Sequence, residues 1–319
     1  MIDFRKGDLA GNEVLVTIGV LSYNYATYLE LALDSLLNQT YPYIELIIID
    51  DGSTDGCPQI IEKWITQNNI HCIYIKHEAN LGITRTSNEI VKLSKGKYLT
   101  LFATDDVMLP ERIEKQVLLL EEAGESFGMC YADCEFIDED GNSLGRRNDG
   151  GIIYEGDVLE AYVTRDFGFT TPTSLIRRTV FDRIGFYDER VLIEDYNLFL
   201  RLVACFKVKY CTYPCILYRI KKKPSRIFEK WEEHNRERYY HDRILSNSRA
   251  LKFINSKNAS RYLKKKIVQY LKSLAINDSK YFYPLFIMQL ANGNFMLPYK
   301  AVYVKLNLQF RSLFQKRSR

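Results

Sequence analysis

The 319-residue sequence contains no run of eighteen apolar residues, so no membrane-spanning helix is expected. Its opening segment, MIDFRKGDLAGNE, lacks the apolar centre of a secretory signal, so export is not expected. Neither GxGxxG nor GxxxxGKS/T occurs, which removes the dinucleotide fingerprint and the phosphate-cradling P-loop. No Cys-x-x-Cys pair exists among the seven cysteines, and their odd number speaks against a disulfide framework. Reduced thiols in a cytoplasmic protein are the expectation. Cys130 and Cys134 share a four-residue offset with Cys211 and Cys215. On strands that offset puts each pair on one face, where thiols serve as small hydrophobes; a zinc site is the other reading.

What is present is a globular composition, 46% hydrophobic and 26% charged, enough to bury a sizeable core. Tyrosine (23) and phenylalanine (17) are plentiful, which suits a packed interior or surfaces that stack rings and sugars. The net charge of +4 conceals two opposed parts. From Arg226 onward there are 20 Lys and Arg against 6 Asp and Glu, whereas the first 225 residues carry 24 against 34. The division predicts a domain over residues 1–225 and a basic region over 226–319 with different partners. Nucleic acid, anionic lipid or a phosphate-bearing substrate would suit such a basic part. No nucleic-acid motif accompanies it, so nucleic acid is not expected as a partner.

The front part alternates strands and helices. VLVTIGVLSYN (14–24) and IELIIIDDGSTDG (44–56) are apolar runs that break into polar turns. Between them YLELALDSLLNQ places Leu29, Leu33, Leu36 and Leu37 on one helical face. HCIYIKHEANLG (71–82) and KYLTLFATDD repeat the strand pattern, with helices predicted over TRTSNEIVKLS and, from Pro110, over ERIEKQVLLLEEAG. Four such units in series predict an α/β fold with a parallel sheet, whose ligands sit beyond the carboxyl ends of the strands. Those ends read SYN, DDGSTD, HEANLG and TDD. Further on, MCYADCEFIDEDGNSLG predicts two strands about an Asp-Gly turn, and VLIEDYNLFLRLVAC an amphipathic helix with acids in its first turn. From about residue 226 the pattern is helical and charged.

Asp105 and Asp106 are adjacent carboxylates at a strand end, where repulsion and desolvation call for a nearby cation. Either they cap the helix that follows, or they hold a divalent, oxygen-preferring ion such as Mg²⁺ or Mn²⁺ together with a ligand's diphosphate. The blocks VTIGVLSYNYATYLELALDSLLNQTYPYIELIIIDDGSTD, NLGITRTSNEI, FATDDVMLPERIEKQV, TSLIRRTVFDRIGFYDE, IEDYNLFLRL and ILYRIKKKPS follow one another in order. Together, over residues 14–225, they resemble the family 2 glycosyltransferases of GT-A fold.

The resemblance implies a GT-A catalytic domain, a Rossmann-like, mainly parallel sheet flanked by helices, followed by a mostly helical C-terminal region. It implies inverting, metal-dependent transfer of one sugar from a nucleotide-sugar, UDP-linked, to a glycan or lipid-linked acceptor in bacterial polysaccharide synthesis. Ser22, Tyr23 and Asn24 would line the nucleotide pocket, with Asp50 and Asp51 as its acids. Asn80, Gly82 and Asn88 would belong to the loop over the base. Asp105 and Asp106 match the metal-binding acidic motif, whose leading acid is replaced by Ala103. Glu194 and Asp195 match the motif whose Asp is the general base; otherwise they are helix N-terminal acids. Arg219 and Lys221 fall in a closing motif that often carries His where Lys221 stands, and could clamp the diphosphate or form a solvated turn. TTPTS (170–174), Asp133 and Glu135 are expected to face the acceptor.

The basic region contains YLKKKIVQYLKSLA (262–275), with Leu263, Ile267, Tyr270, Leu271 and Leu274 on one face, and KAVYVKLNLQFRSLFQKRSR (300–319). Either could lie on an anionic membrane surface, placing the protein peripherally at the inner face of the cell membrane, or pack as a helical subdomain. A degenerate, non-catalytic nucleotide-sugar or glycolipid binder is the competing reading, kept by Ala103 and Lys221. A nucleotidyltransferase would need a basic Gly-rich loop that SYNYATY does not supply.

Overall fold

The computed structural model describes residues 14–148, 151–165, 167–221, 236–277 and 279–291. The chain divides into two units. The first comprises Met1–Val158, Gly168–Glu189 and Phe206–Lys222; the second comprises Leu159–Phe167, Arg190–Cys205 and Lys223–Arg319. The boundary expected at residue 225 falls outside the described residues.

The first unit is built on β1 (Val16–Ser22), β2 (Ile44–Asp50), β3 (Ile73–Lys76) and β4 (Tyr98–Ala103). These strands alternate with α1 (Ala26–Leu37), α2 (Cys57–Gln67) and α3 (Ile83–Leu93). β1 pairs in parallel with β2 and β4, and β2 with β3, as the repeating strand–helix pattern predicts. The register aligns Ser22 with Asp50 and Leu21 with Ala103, so three polar strand ends open at one edge. Val16, Ile18, Val20, Leu46 and Ile48 are buried together with Leu29, Leu33 and Leu36 of α1, the face the sequence spacing selects.

Beyond β4 the sheet becomes mixed, in the order β3-β2-β1-β4-β8-β6-β9-β5, with β7 on β6. The added strands are β5 (Val107–Met108), β6 (Phe127–Ile137), β7 (Ser143–Arg146), β8 (Leu175–Arg177) and β9 (Lys207–Arg219). β6 and β7 form the antiparallel pair expected around the Asp-Gly turn. β5 is a difference from the sequence reading: the chain makes a two-residue strand against Ile216 and Leu217 before α4 (Arg112–Ala123) begins. α4 has no side-chain cap, so Asp105 and Asp106 are not its caps. β9 carries Pro214 within a register shift, where Cys211 opposes Ala132 but Ile216 opposes Cys134. A bulge is where a strand tolerates a residue without an N–H. α6 (Thr179–Ile184) completes the helices of this unit.

The second unit is helical: α5 (Leu159–Thr164), α7 (Glu194–Cys205), α8 (Arg236–Ala250), α9 (Lys257–Ile276) and α10 (Phe282–Ala291). Its core holds Val191, Ile244, Ile267, Leu271, Leu274 and Phe282. Ser256 caps α9 by accepting from the Ala259 N–H at 3.2 Å. All five residues of the expected apolar face of α9 are buried, so that face packs within its own unit. The 300–319 segment lies outside the described residues. Among the described residues no helix is long and apolar enough to cross a membrane. No disulfide joins the described cysteines, and Cys130, Cys134, Cys211 and Cys215 are buried.

Candidate active site

At the ends of β1 and β2, Asp50 organises the turn that follows it. Its Oδ1 accepts from the Ser53 N–H at 2.9 Å, and its Oδ2 accepts from the hydroxyls of Ser53 (2.6 Å) and Ser22 (3.1 Å). Asn24 sits at φ 54°, a conformation asparagine tolerates. Its Oδ1 accepts from the Thr54 N–H at 2.8 Å, which locks the SYN turn to the DDGST turn. Tyr23 between them is 44% exposed, an apolar ring left open at the strand ends.

Asp51 anchors the next loop. Its Oδ1 accepts from the Leu81 N–H and its Oδ2 from the Gly82 N–H, both at 2.9 Å. His77 Nδ1 lies 2.8 Å from Asp51 Oδ1, and its Nε2 lies 3.0 Å from Glu89 Oε2. Burial disfavours the charged ring, but the two carboxylates outweigh it and raise the His77 pKa. Gly52, at φ 76°, runs so close to this loop that a Cβ would come within 2.6 Å of the Ala79 carbonyl carbon. Asn80 is exposed on the loop, and Gly82 starts α3 at φ 91°. Asn88 is buried instead: its amide accepts from the Tyr187 N–H (2.9 Å) and donates to the Tyr187 carbonyl (3.1 Å). It therefore pins the chain at residue 187.

At the end of β4 the two acids meet two cations. Lys221 Nζ lies 2.8 Å from Asp105 Oδ2 and 3.4 Å from the centroid of the Tyr25 ring. Asp106 is only 2% exposed, and its Oδ1 accepts from the Arg219 N–H at 2.9 Å. The Arg219 guanidinium donates to the carbonyls of Asp105 (2.9 Å), Asp138 (2.9 Å) and Glu139 (3.1 Å), and lies over the Tyr28 ring at 4.3 Å. Arg219 is thus a brace between strand ends rather than a free clamp. Burial first, and then the charge of Asp105, push the Asp106 carboxyl up to about 8. Burial works against the Lys221 ammonium, but Asp105 and Tyr25 overcome it and raise its pKa. Behind the pair, Arg112 is fully buried and donates to Thr100 Oγ1 at 2.6 Å; burial lowers its pKa to about 10.

The acid pair fits a divalent ion. Asp106 keeps one carboxylate oxygen with no donor on it among the described residues, and Asp105 likewise has one beyond its lysine. A cation there would offset the burial and the Asp105 charge that together hold Asp106 up. No group of three His, Cys, Asp or Glu able to hold a metal exists among the described residues, so further ligands would be water or a bound diphosphate.

The second unit holds Glu194 and Asp195 at the start of α7, both half-buried. Burial, then the neighbouring Asp195, push the Glu194 carboxyl up to about 7. The approach to α7 is fixed by Asp242, which is fully buried. Its Oδ2 accepts from the Leu192 N–H at 2.7 Å, and its Oδ1 pairs with Arg238 (3.1 Å) and His241 (2.8 Å). Asn197 donates to Ser246 Oγ at 3.0 Å, tying α7 to α8. In the first unit, Thr173 exchanges hydrogen bonds with the Ala132 backbone at 3.1 Å in both directions, and Asp133 accepts from the Cys134 and Asn148 N–H groups. These residues, expected toward an acceptor, hold the local backbone.

His77, Tyr25, Tyr28, Arg112 and Asp242 were not singled out by the sequence. Arg219 ends β9 and Lys221 lies two residues beyond it, and this closeness in sequence is the local sign that they act together. Their meeting with Asp105 and Asp106 depends on the β5–β9 pairing, which has no local signature.

A parallel sheet extended by a mixed set of strands, with acids gathered at the strand ends, defines a GT-A-type fold. The family model described as Glycosyl transferase family 2 matches residues 17–185, and the chain belongs to that family. An uncharacterized glycosyltransferase of Methanocaldococcus jannaschii is 27% identical over 60% of this chain and 65% of its own. The glycosyltransferase GlyG of Streptococcus pneumoniae is 26% identical over 64% of this chain and 70% of its own. The chain spans 36% of the length of a similar Rickettsia felis glycosyltransferase. Staphylococcus aureus TarS 1-349 in complex with UDP-GlcNAc superimposes with a TM-score of 0.62 at 14% identity, over 92% of this chain and 88% of that one. The mannosyltransferase PcManGT of Pyrobaculum calidifontis, in complex with GDP-Man and Mn²⁺, gives 0.53 at 18% identity over 95% and 90%.

Proposed function

We propose that this chain catalyses inverting transfer of one sugar from a nucleotide-sugar, UDP-linked, to a glycan or lipid-linked glycan acceptor in bacterial polysaccharide synthesis. The supporting observation is the meeting of Asp105 with Lys221, and of Asp106 with the Arg219 N–H, at the carboxyl end of β4. Asp106 and Asp105 would hold a Mn²⁺ or Mg²⁺ ion, which stabilises charge developing on the leaving diphosphate. Lys221 brings a second, fixed positive charge to the same strand end, held on the Tyr25 ring. Ser22, Tyr23, Asn24 and Asn80 line the nucleoside side. Asp50, Asp51, Gly82 and Asn88 fix the backbone of those turns, and Arg219 fixes the end of β4.

In the second unit, Asp195 accepts the proton of the acceptor hydroxyl as it attacks the anomeric carbon. Glu194, its carboxyl pushed up to about 7 by burial and the neighbouring Asp195, orients the acceptor. Contact with an anionic membrane surface at the inner face of the cell membrane uses Lys264 and Lys265, exposed on α9, because that helix's apolar face is buried. Asp195→Asn should lose transfer by about 10²–10⁴-fold while UDP affinity stays within about twofold. Normal turnover by that variant would contradict the assignment of the base.

The Lys221–Asp105 ion pair also favours a second reading, a binding module whose metal site is closed by an internal cation. Hydrolysis of a UDP-sugar in the presence of Mn²⁺ separates the two, since a binding module releases no UDP. A panel of UDP-, GDP- and dTDP-sugars scored by thermal stabilisation identifies the nucleotide.

A further inference from the structure

The charges that meet at the end of β4 limit what can join them. Asp105 and Asp106 are two acids; Lys221 and Arg219 are two cations, and the charges of both act on Asp106. The buried Arg112 is a third cation within the field of Asp106. Asp138 and Glu139 offer Arg219 their backbone carbonyls, and the Asp138 carboxylate accepts from the Asn142 amide instead. With both acids ionised, the protein's own cations at least match them; with Asp106 protonated, the cations are in excess. In neither state does the acid pair draw in a bare divalent ion, because like charges already stand beside it.

Two of these three cations are tied down. Arg219 donates to three carbonyls, and Arg112 to Thr100, Gln116 and Ser174. Lys221 has one carboxylate, Asp105 Oδ2 at 2.8 Å, and Tyr25, through its ring at 3.4 Å and its hydroxyl. An ammonium has three N–H donors, so one is left without a partner among the described residues. The ion pair is also set back from solvent: its side chains are 18% and 21% exposed, against 46% and 36% for the surface pair of Lys97 and Glu121. Water therefore screens Lys221 poorly, and its charge counts at both acids. A lysine is a point charge on a flexible stem, able to exchange one oxyanion for another without the rigid fork of an arginine.

We propose that Lys221 sets the order in which the site fills, keeping a bare divalent ion off the acid pair and turning from Asp105 to the diphosphate when ion and nucleotide arrive together. Charge balance favours that pairing, because a divalent ion and the doubly negative diphosphate of a nucleotide-sugar add nothing to the sum. Tyr25 gives the ammonium a seat that does not depend on Asp105, so the carboxylate can be released without stranding the charge. The inference deepens the glycosyltransferase reading and takes the word nucleotide from it; the exclusion of a bare ion rests on Lys221 and the acids alone.

The test uses the full chain at pH 8.5 under argon, above the value of about 8 to which Asp106 is pushed, so that both acids are ionised. Mn²⁺ without nucleotide, and UDP without metal, are each titrated by calorimetry into wild type, Lys221→Gln and Lys221→Arg. Without nucleotide, K221Q should bind Mn²⁺ at least about tenfold more tightly than wild type, and K221R within about threefold of wild type. Without metal, K221Q should bind UDP at least about threefold more weakly. Opposite signs in one variant separate a charge role from a loosened fold, which would weaken both ligands. Mn²⁺ binding by K221Q that is absent, equal to wild type or weaker overturns the proposal, as does a metal-free UDP affinity that K221Q leaves unchanged. Should K221Q fail to fold, Asp105→Asn reverses the balance: it should bind metal-free UDP at least about threefold more tightly than wild type, and no gain counts as refutation. A wild type that binds UDP neither with nor without Mn²⁺ counts against the glycosyltransferase reading, and the nucleotide-free Mn²⁺ titration then decides on Lys221 by itself.

Discussion

His77 shows how a residue outside every motif can set the geometry of the site. Both ring nitrogens face carboxylate oxygens, and only the doubly protonated ring can donate to both. Its pKa is raised in the folded chain, so the stabilisation is fully present below the unfolded value near 6.5 and is lost as pH rises through the folded value. Thermal stability should therefore decline from pH 6 toward pH 9 more steeply in wild type than in His77→Gln. The variant should be destabilised by about 1–2 kcal/mol at pH 6 and by less at pH 9. Matching pH profiles would show that the ring is neutral in the native state. Asp242 makes a comparable case beside α7, because it is fully buried and serves Leu192, Arg238 and His241 together. Asp242→Asn should cost about 3 kcal/mol in denaturant unfolding, since it leaves Arg238 and His241 without their anion. A loss below a few tenths of a kcal/mol would remove its anchoring role.

Elements carry the site as much as residues do. The tight passage of Gly52 against Ala79 and Asn80 brings the turn after β2 onto the loop before α3. Gly52→Ala combines a positive φ with a backbone clash, and should destabilise by about 1–3 kcal/mol. It should also weaken UDP binding at least about tenfold in calorimetry. Retained affinity would mean that the loop is not part of the nucleotide site. The parallel half of the sheet was legible in the sequence, since continuous apolar strands and leucine-faced helices have strong local periods. β5 was not, because two residues have no period and their pairing with β9 is a long-range event. The apolar face of α9 was read residue for residue, but whether it met lipid or protein depended on α8 and α10, which the local pattern does not specify.

For the whole molecule, the acids at the ends of β1, β2 and β4 belong to the first unit, while the excess of basic residues in the sequence lies after residue 225. Asp105 and Asp106 were legible as acids needing a cation, and the structure supplies Arg219 at the end of β9 and Lys221 just beyond it, more than a hundred residues later. That answer could not be read locally, because it follows from the position of β9 in the sheet. The Lys221 ammonium and the Arg219 backbone N–H leave one oxygen of each carboxylate without a donor among the described residues, the room that the proposed metal–diphosphate unit would use. The most direct measurement is calorimetric titration of UDP into wild type and Asp106→Asn, each with and without Mn²⁺. The account predicts wild-type binding that strengthens at least about tenfold with Mn²⁺, and an Asp106→Asn variant that loses this gain while keeping its fold. UDP affinity that ignores both Mn²⁺ and Asp106 would contradict it.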